Sequence, residues 1–581
     1  MPVSLLLTNV SAVSILLFGL GMSYAAQSEQ TGDPLAPVCS KTAPREIRRR
    51  PGETPILQYH DPACDSDKLM TPRTNDLIDL TPVPDRWRIV EALGYPVNWQ
   101  DPYHGMNPLK GDRPVFGQDW FINFNASSSS TLDYRRIPLA REASGVNHGN
   151  TLLRSGNQLF FNQNFSFDAI VYKGDTVFRP PDYQFRFTPV INYNRTDHHG
   201  FADNSAFAVQ ALFVEKYLRD ASDHYDFDSI RIGIQPFTSD FRGFLLLDQQ
   251  LGIRLFGTRD NNIFQYNIAW LRRFKKRNRL NDPGAGLANN DVLIANLYWQ
   301  DLLVSGFTSQ VTLAYNRNRE QGTRIIADEL STRTPARFQN NVQHDYDVVY
   351  LGYNGDGHIG RVNLTGSFYY VIGTESDGTF VDSETDVNAL FAASEISVDF
   401  DWIRLKFSAL HASGDDDPFD NNARGFDGIF QQPVFAGTVF SFFNRQRLPL
   451  AGNRISLKRK NALFNSLRSL DDPGQSNFTN PGLNLIGVGA DFDVLPELRI
   501  SLQANQLWFD ETESLEAVFG KQNIASNIGQ DFSVAAIYRP FATQNLIISL
   551  SAAMLVPGQG YRDIYDGRLA YSMFSSFILN Y

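Results

Sequence analysis

Two patterns in this chain gather residue types that can do chemistry. The first is His411-Ala-Ser413, with an imidazole and a hydroxyl two residues apart. On an extended strand such residues share a face, and a histidine base beside a serine hydroxyl is the minimum for nucleophilic hydrolysis. No acid or carboxamide that would orient the imidazole stands out in the sequence. The second pattern is dispersed: Arg186, Arg231, Arg254, Arg361, Arg404, Lys406 and Arg499 each lie between apolar residues in alternating segments. Cations collected on one interior face favour the passage of anions, and the planar guanidinium fork matches both oxygens of a carboxylate. The same cations can instead pair with interior or loop acids and brace a wall. Few acids share their face; Glu215 and Glu395 are the clearest.

Outer-membrane phospholipases and lipid A deacylases resemble the first pattern, with a His-x-Ser pair facing the membrane. Here Gly414 stands where those enzymes usually carry Asn, and the chain is much longer than theirs. The simpler reading is a strand running into a Ser/Gly/Asp loop. Asp415, Asp416, Asp417, Asp420 and Asp427 offer hard oxygen ligands for calcium, but their spacing matches no EF-hand loop, and solvated loop acids account for them more simply. Gly355-Asp-Gly-His-Ile-Gly360, with Asp356 and His358, reads as a tight turn. Zinc spacings, phosphate-binding glycine loops and haem-attachment motifs are all missing, so no cofactor or metal is expected. A net charge of −11 argues against nucleic acid as a partner.

The elements that must position these residues are strands. From Asp119 onward, apolar and polar residues alternate between turn signals. Phe185, Phe187, Ile191 and Tyr193 alternate with Arg186, Thr188, Asn192 and Asn194, and Ile403, Leu405 and Phe407 alternate with Arg404, Lys406 and Ser408. The connections alternate long and short: 556–568 against 540–545, 509–530 against 492–497, 412–483 against 399–402, 372–386 against 355–360, and 318–345 against 301–307. Long extracellular loops and short periplasmic turns are a property of outer-membrane barrels. The tally is about eighteen strands, with sixteen as the alternative. The uncertainty lies in 119–182, where Leu159–Tyr172 is too long for one tidy strand.

The final stretch sets Tyr571, Met573, Phe577, Leu579 and Tyr581 on one face. It resembles the C-terminal signal by which bacterial outer-membrane barrels are recognised for assembly, carried by Phe577, Leu579 and Tyr581. In a closed barrel this strand zips against the first and leaves no edge. Residues 1–26 look like a secretory signal peptide. Residues 27–116, rich in proline and charge, form a periplasmic extension or a plug, and 117–581 form the barrel. The two cysteines, Cys39 and Cys64, fall in the first of these regions, where a periplasmic disulfide is expected. Such a pre-barrel region is too short for the plug of a TonB-dependent transporter.

Three connections look built for more than closure. Residues 412–483 are long enough to fold into the mouth or lumen as a constriction. Residues 273–290 contribute to the run Arg272–Arg279, which can gather anions or bind lipopolysaccharide phosphates. Residues 237–250 are compact and aromatic, with no evident chemistry.

The expected fold is all-β, a transmembrane antiparallel β-barrel in the bacterial outer membrane. In size, strand number and lumen character it is similar to the alginate-export family of porin-like barrels. That resemblance implies passive passage of an anionic saccharide or another small anionic solute. The expected partners are outer-membrane lipid and lipopolysaccharide, the barrel-assembly machinery through the last strand, and the anionic solute. The rival readings are a membrane-facing lipid hydrolase using His411 and Ser413, and a non-conducting structural or binding barrel.

Overall fold

The computed structural model describes residues 86–581, except 102, 104, 141–152, 175–179, 198–200, 276–279, 285, 303, 321–344, 377–379, 432, 446–475 and 566. The signal-peptide segment and Cys39 and Cys64 lie outside the described residues. After a short helix α1 (Arg86–Ala92), the chain forms strands β1 (Trp120–Ala140), β2 (Leu153–Lys173), β3 (Tyr183–Asp197), β4 (Phe201–Asp220), β5 (Phe227–Thr238) and β6 (Leu247–Arg259). There follow β7 (Phe264–Phe274), β8 (Leu287–Gln300), β9 (Phe307–Arg319), β10 (Asp345–Ile359), β11 (Val362–Glu375), β12 (Thr385–Phe400) and β13 (Ile403–Ala412). A two-residue β14 (Asn422–Ala423) precedes β15 (Leu483–Leu495), β16 (Leu498–Trp508), β17 (Asn527–Tyr538), β18 (Leu546–Pro557) and β19 (Ala570–Asn580).

Each long strand pairs antiparallel with its neighbours in sequence, β13 pairing directly with β15. The last strand closes on the first, from Ser127↔Asn580 to Arg136↔Tyr571. The result is a closed barrel of eighteen strands, with β14 as an extra piece lying parallel to the extracellular end of β12. The sixteen-strand alternative falls, because Leu159–Tyr172 lies wholly within the single long strand β2. Asp356 and His358 likewise belong to β10 rather than to a turn; the chain reverses one step later, at 360–361.

The alternating pattern forms strands because each side chain meets one of two different environments. Outward positions carry Phe187, Ile191, Leu293, Val311, Phe407, Val488 and Met573, all exposed, up to 60 % for Met573. Apolar exposure on this scale would drive a water-soluble protein to aggregate; in hydrocarbon it is the lipid-facing band of an outer-membrane barrel. Inward positions alternate with these and are polar or charged, as with Asn192, Asn296, Gln310, Asn316 and Asn354, all buried. Short turns at 360–361, 401–402 and 496–497 lie at one end. Most of the long connections lie at the other, where only three residues separate β3 from β4.

The segment before β1 closes a gap at the seam. β1 extends beyond the point where β19 stops pairing, leaving Trp120–Asn125 without a partner on that side. Phe124 N–H donates to the Leu109 carbonyl (2.7 Å), and Lys110 bridges to Asn123. An edge that would otherwise invite another chain is thereby covered. Tyr581 is drawn into the same contact. Its hydroxyl donates to the Trp99 carbonyl (2.9 Å) and accepts from Asn107 (3.0 Å), and the Lys110 ammonium sits 4.3 Å from its ring centre.

Candidate functional site

The sequence-predicted cations divide into three environments. Near the periplasmic end of β2–β3, Arg186 forks onto Asp168 (2.8 and 2.9 Å), which also accepts from Thr188. Around β12–β16, Arg404 forks onto Asp399, Lys406 reaches Asp491 (2.9 Å), and Arg499 forks onto Asp493 (2.7 and 3.0 Å). These are wall-bracing pairs with their charge largely answered. Partly exposed pairs of this kind contribute up to about 1 kcal/mol each to stability. Arg361 is not on the wall: it occupies the turn 360–361 and is exposed. The alternating pattern runs through that turn, so sequence could not separate turn from strand there.

The third environment is different. Arg231 on β5 pairs with Glu215 on β4 (2.9 Å) and lies over Phe213. Directly opposite it on β6 stands Arg254, whose Nε donates to Asn267 (2.7 Å). The Arg254 guanidinium lies 4.7 Å from the Phe256 ring centre and 5.4 Å from that of Phe237. Among the described residues no carboxylate lies within ion-pair distance of it. Aromatic faces hold a guanidinium in place without neutralising it.

Two connections from the extracellular end fold inward and meet. The loop 239–246 is fixed by its first two residues. The Ser239 carbonyl accepts from Gln310 (2.6 Å), Asn296 and Thr312 on the wall. The Asp240 carboxylate accepts the backbone N–H groups of Arg242, Gly243, Phe244 and Leu245 at 2.6–3.0 Å, and the Tyr369 hydroxyl at 3.0 Å. Ile429, Phe430 and Val434 of the long connection lie against this loop. Ile429 and Phe430 donate to the Leu245 carbonyl, Leu247 to Phe430, and Val434 to Arg242. On the far side, Asp531 of β17 accepts from Phe442 (3.1 Å) and Phe443 (3.0 Å). Phe244 packs at 4.9 Å from Phe391 and 5.4 Å from Phe435, and Phe391 at 4.7 Å from Phe426. Each buried phenyl contributes about 2–3 kcal/mol of transfer free energy, so the two loops form a packed insert.

The long loop's inward course follows the expectation of a constriction. The loop 239–246 falls within 237–250, a connection that stood out in sequence without evident chemistry; the available signal for its role was Asp240 followed at once by a turn, a residue type that gathers nearby amides. The basic run is partly turned inward as well. Arg273 is buried, donating to Asn290 and lying near Phe430, while Arg272 pairs with Asp291 (2.7 Å). Residues 276–279 lie outside the described residues.

His411 lies on the outward face at the extracellular end of β13, where the structure supplies the orienting groups that sequence did not reveal. Its Nδ1 is 2.8 Å from Asn484 Oδ1, and Asn484 donates to Asp510 (2.8 Å). These partners are distant in sequence and become neighbours only through the β13–β15–β16 register. Ser413 is already committed, however: its hydroxyl donates to the Arg424 carbonyl (2.6 Å) and accepts from Leu390 N–H (2.9 Å). It anchors the root of the long loop and has no proton to give His411. The nearby acids do not converge on a metal site. Asp416 and Asp420 pair with Arg424, Asp427 accepts from Asn477, and Asp415 is buried. No group of three or more His, Cys, Asp or Glu poised for a metal occurs among the described residues.

No protein-family model matches the sequence, and no curated protein matches it either. Solved structures do resemble it in fold. OccK2 (OpdF) of Pseudomonas aeruginosa is 12 % identical over 79 % of this chain and 98 % of its own, with a TM-score of 0.42. A BenF-like porin from Pseudomonas fluorescens Pf-5 is 10 % identical over 79 % and 99 %, with a TM-score of 0.42. OpdK of P. aeruginosa, crystallised with vanillate, is 11 % identical over 79 % and 99 %, with a TM-score of 0.40.

Proposed function

We propose that this protein is a porin-like channel of the bacterial outer membrane that passes small anionic solutes passively. The observation that carries this reading is Arg254, an inward guanidinium held between Phe237 and Phe256, set opposite Arg231 and without a carboxylate in ion-pair distance among the described residues. A passing carboxylate finds there a shallow electrostatic site, strong enough to enter and weak enough to leave. The braced pairs at Arg186, Arg404, Lys406 and Arg499 keep the wall rigid and add little net field. The inserted loops set the cross-section, and flux follows the concentration gradient without covalent chemistry. An anionic saccharide of the alginate-export kind and a smaller carboxylate are both served by this arrangement. The outer band contacts lipid and lipopolysaccharide, and the last strand serves as the assembly signal. The test is ion selectivity in planar bilayers: wild type should prefer anions, and a silent or cation-selective pore would reject the proposal.

A further inference from the structure

We propose that Glu395 is the latch of the constriction, a positioning residue that holds both inserted loops against the barrel wall. The proposal rests on the channel reading above and names the element that regulates its cross-section. Glu395 projects from β12 into the lumen and is largely buried. One carboxylate oxygen faces the Arg242 guanidinium at the tip of the loop 239–246 (3.4 Å). The other accepts the Ser408 hydroxyl of β13 (2.9 Å) and the Ala436 backbone N–H of the long loop (3.3 Å). One side chain therefore ties two strands of the wall to both loops. Among the described residues it is the one carboxylate within ion-pair distance of Arg242.

What it holds is a strained turn. Ala436, Gly437 and Thr438 have φ of 46°, 93° and 54°, so two residues bearing Cβ atoms flank a glycine in the left-handed region. Such conformations persist only where the surroundings over-determine them, and they concentrate at switches. Here the surroundings are specific. Glu395 takes the Ala436 N–H and Asn505 of β16 donates to the Ala436 carbonyl (3.2 Å), gripping the residue from both sides. The loops are also joined at this point, through Val434 N–H to the Arg242 carbonyl and Arg242 NH1 to the Val434 carbonyl. Removing the carboxylate strands a buried amide and takes the counter-ion from Arg242 in the same step, leaving its guanidinium on Thr365 Oγ1 (2.9 Å) and the Val434 carbonyl (3.4 Å). The turn can then relax, and the loops lose their common anchor.

The experiment uses the full chain with Glu395→Gln and Glu395→Ala, both checked for a folded barrel by heat-modifiable gel mobility. Amide hydrogen exchange over 434–443 reads the latch, and single-channel recording reads the pore. Glu395→Gln keeps an acceptor for Ala436 but removes the charge. Exchange should stay near wild type while selectivity moves toward anions, because Arg242 is no longer answered; a merely structural residue would not produce that split. In Glu395→Ala, exchange at Ala436 should quicken about tenfold or more, and conductance should rise with flickering between levels. Exchange in Glu395→Ala within about twofold of wild type would overturn the latch. If exchange responds while wild type and both variants stay silent in bilayers, the latch stands and the channel reading falls.

Discussion

Arg231 and Arg254 stand directly opposite one another on β5 and β6, a like-charge pair answered among the described residues by one carboxylate, Glu215. Facing like charges are unfavourable in a sheet, so the arrangement needs a compensating reason. Under the proposed function, an anionic solute resting beside Arg254 would supply one. Replacing Arg254 with Ala should therefore relieve repulsion and weaken anion preference together. A unit charge about 6 Å from a passing ion in water is worth about 0.7 kcal/mol, or about threefold in occupancy. The anion-to-cation permeability ratio should fall by about that factor, while the folded barrel becomes no less resistant to denaturant. An unchanged reversal potential would remove Arg254 from the solute path.

Arg404→Ala with Lys406→Ala should behave differently. Both residues are paired with carboxylates, so their loss removes two positive charges from beside Asp399 and Asp491 at the periplasmic end. Selectivity should drift toward cations through the exposed acids, and the barrel should lose up to about 1 kcal/mol per pair. The decisive comparison is salt: this drift should fade as ionic strength rises and screening grows. Persistence at molar salt would argue for a rearranged pore instead.

Asp240 gathers four consecutive backbone amides and the Tyr369 hydroxyl. Asp240→Ala leaves these donors without an acceptor, at about 1–3 kcal/mol for each one that stays buried. The loop 239–246 should leave its seat rather than bear that cost. Amide exchange there should rise steeply and unitary conductance should increase, with little change in exchange along the wall strands. Retained protection over 239–246 would show that the Ser239 and Leu245 carbonyl contacts and the packing of Phe244 hold the loop without Asp240.

Much of this molecule was legible because a barrel repeats one rule. Alternation, the long-short rhythm of connections and the final strand all follow from two solvents and one closure, and each segment states them locally. Site residues that needed a partner were not legible. Arg186 and Arg254 read alike in sequence, yet the first meets Asp168 and the second meets phenyl rings. Which occurs depends on pairing with the adjoining strands. Asn484 and Asp510 were invisible as partners of His411 for the same reason, and Ser413 looked available because its acceptor, the Arg424 carbonyl, is backbone. Arg361 shows the opposite failure, a residue in phase with the pattern but placed in the reversal.

If Ser413 anchors the long loop and does no hydrolysis, Ser413→Ala should leave purified protein as inert toward phospholipid and lipid A esters as wild type. It should also loosen the segment around Leu390 and Arg424, by about 1 kcal/mol for the partly buried hydrogen bonds lost, visible as faster local exchange. Lipid turnover by wild type that disappears in this variant would restore the hydrolase reading.

The root of the long loop also carries a pH response. Burial pushes the Asp415 carboxyl up to about 7, against a backbone hydrogen bond from Arg424 N–H; Asp420 and Asp416 push it further up, and the Arg424 charge opposes them. In a released loop the same carboxyl would titrate near its ordinary value of about 3.9. Below about pH 4 it is neutral in both states, and the seated loop carries no penalty. Between about 4 and about 7 the seated loop retains a proton that the released loop gives up, so seating weakens as pH rises and levels off above about 7. Protection of 413–425 should therefore be greater at pH 5 than at pH 8. Asp415→Asn, neutral throughout, should flatten the difference while keeping an acceptor for Arg424. The readout is amide exchange at matched intrinsic rates, since exchange chemistry itself speeds with pH. Equal protection at the two pH values in wild type would mean that Asp415 is ionised in its seat and that its burial is answered by some other donor.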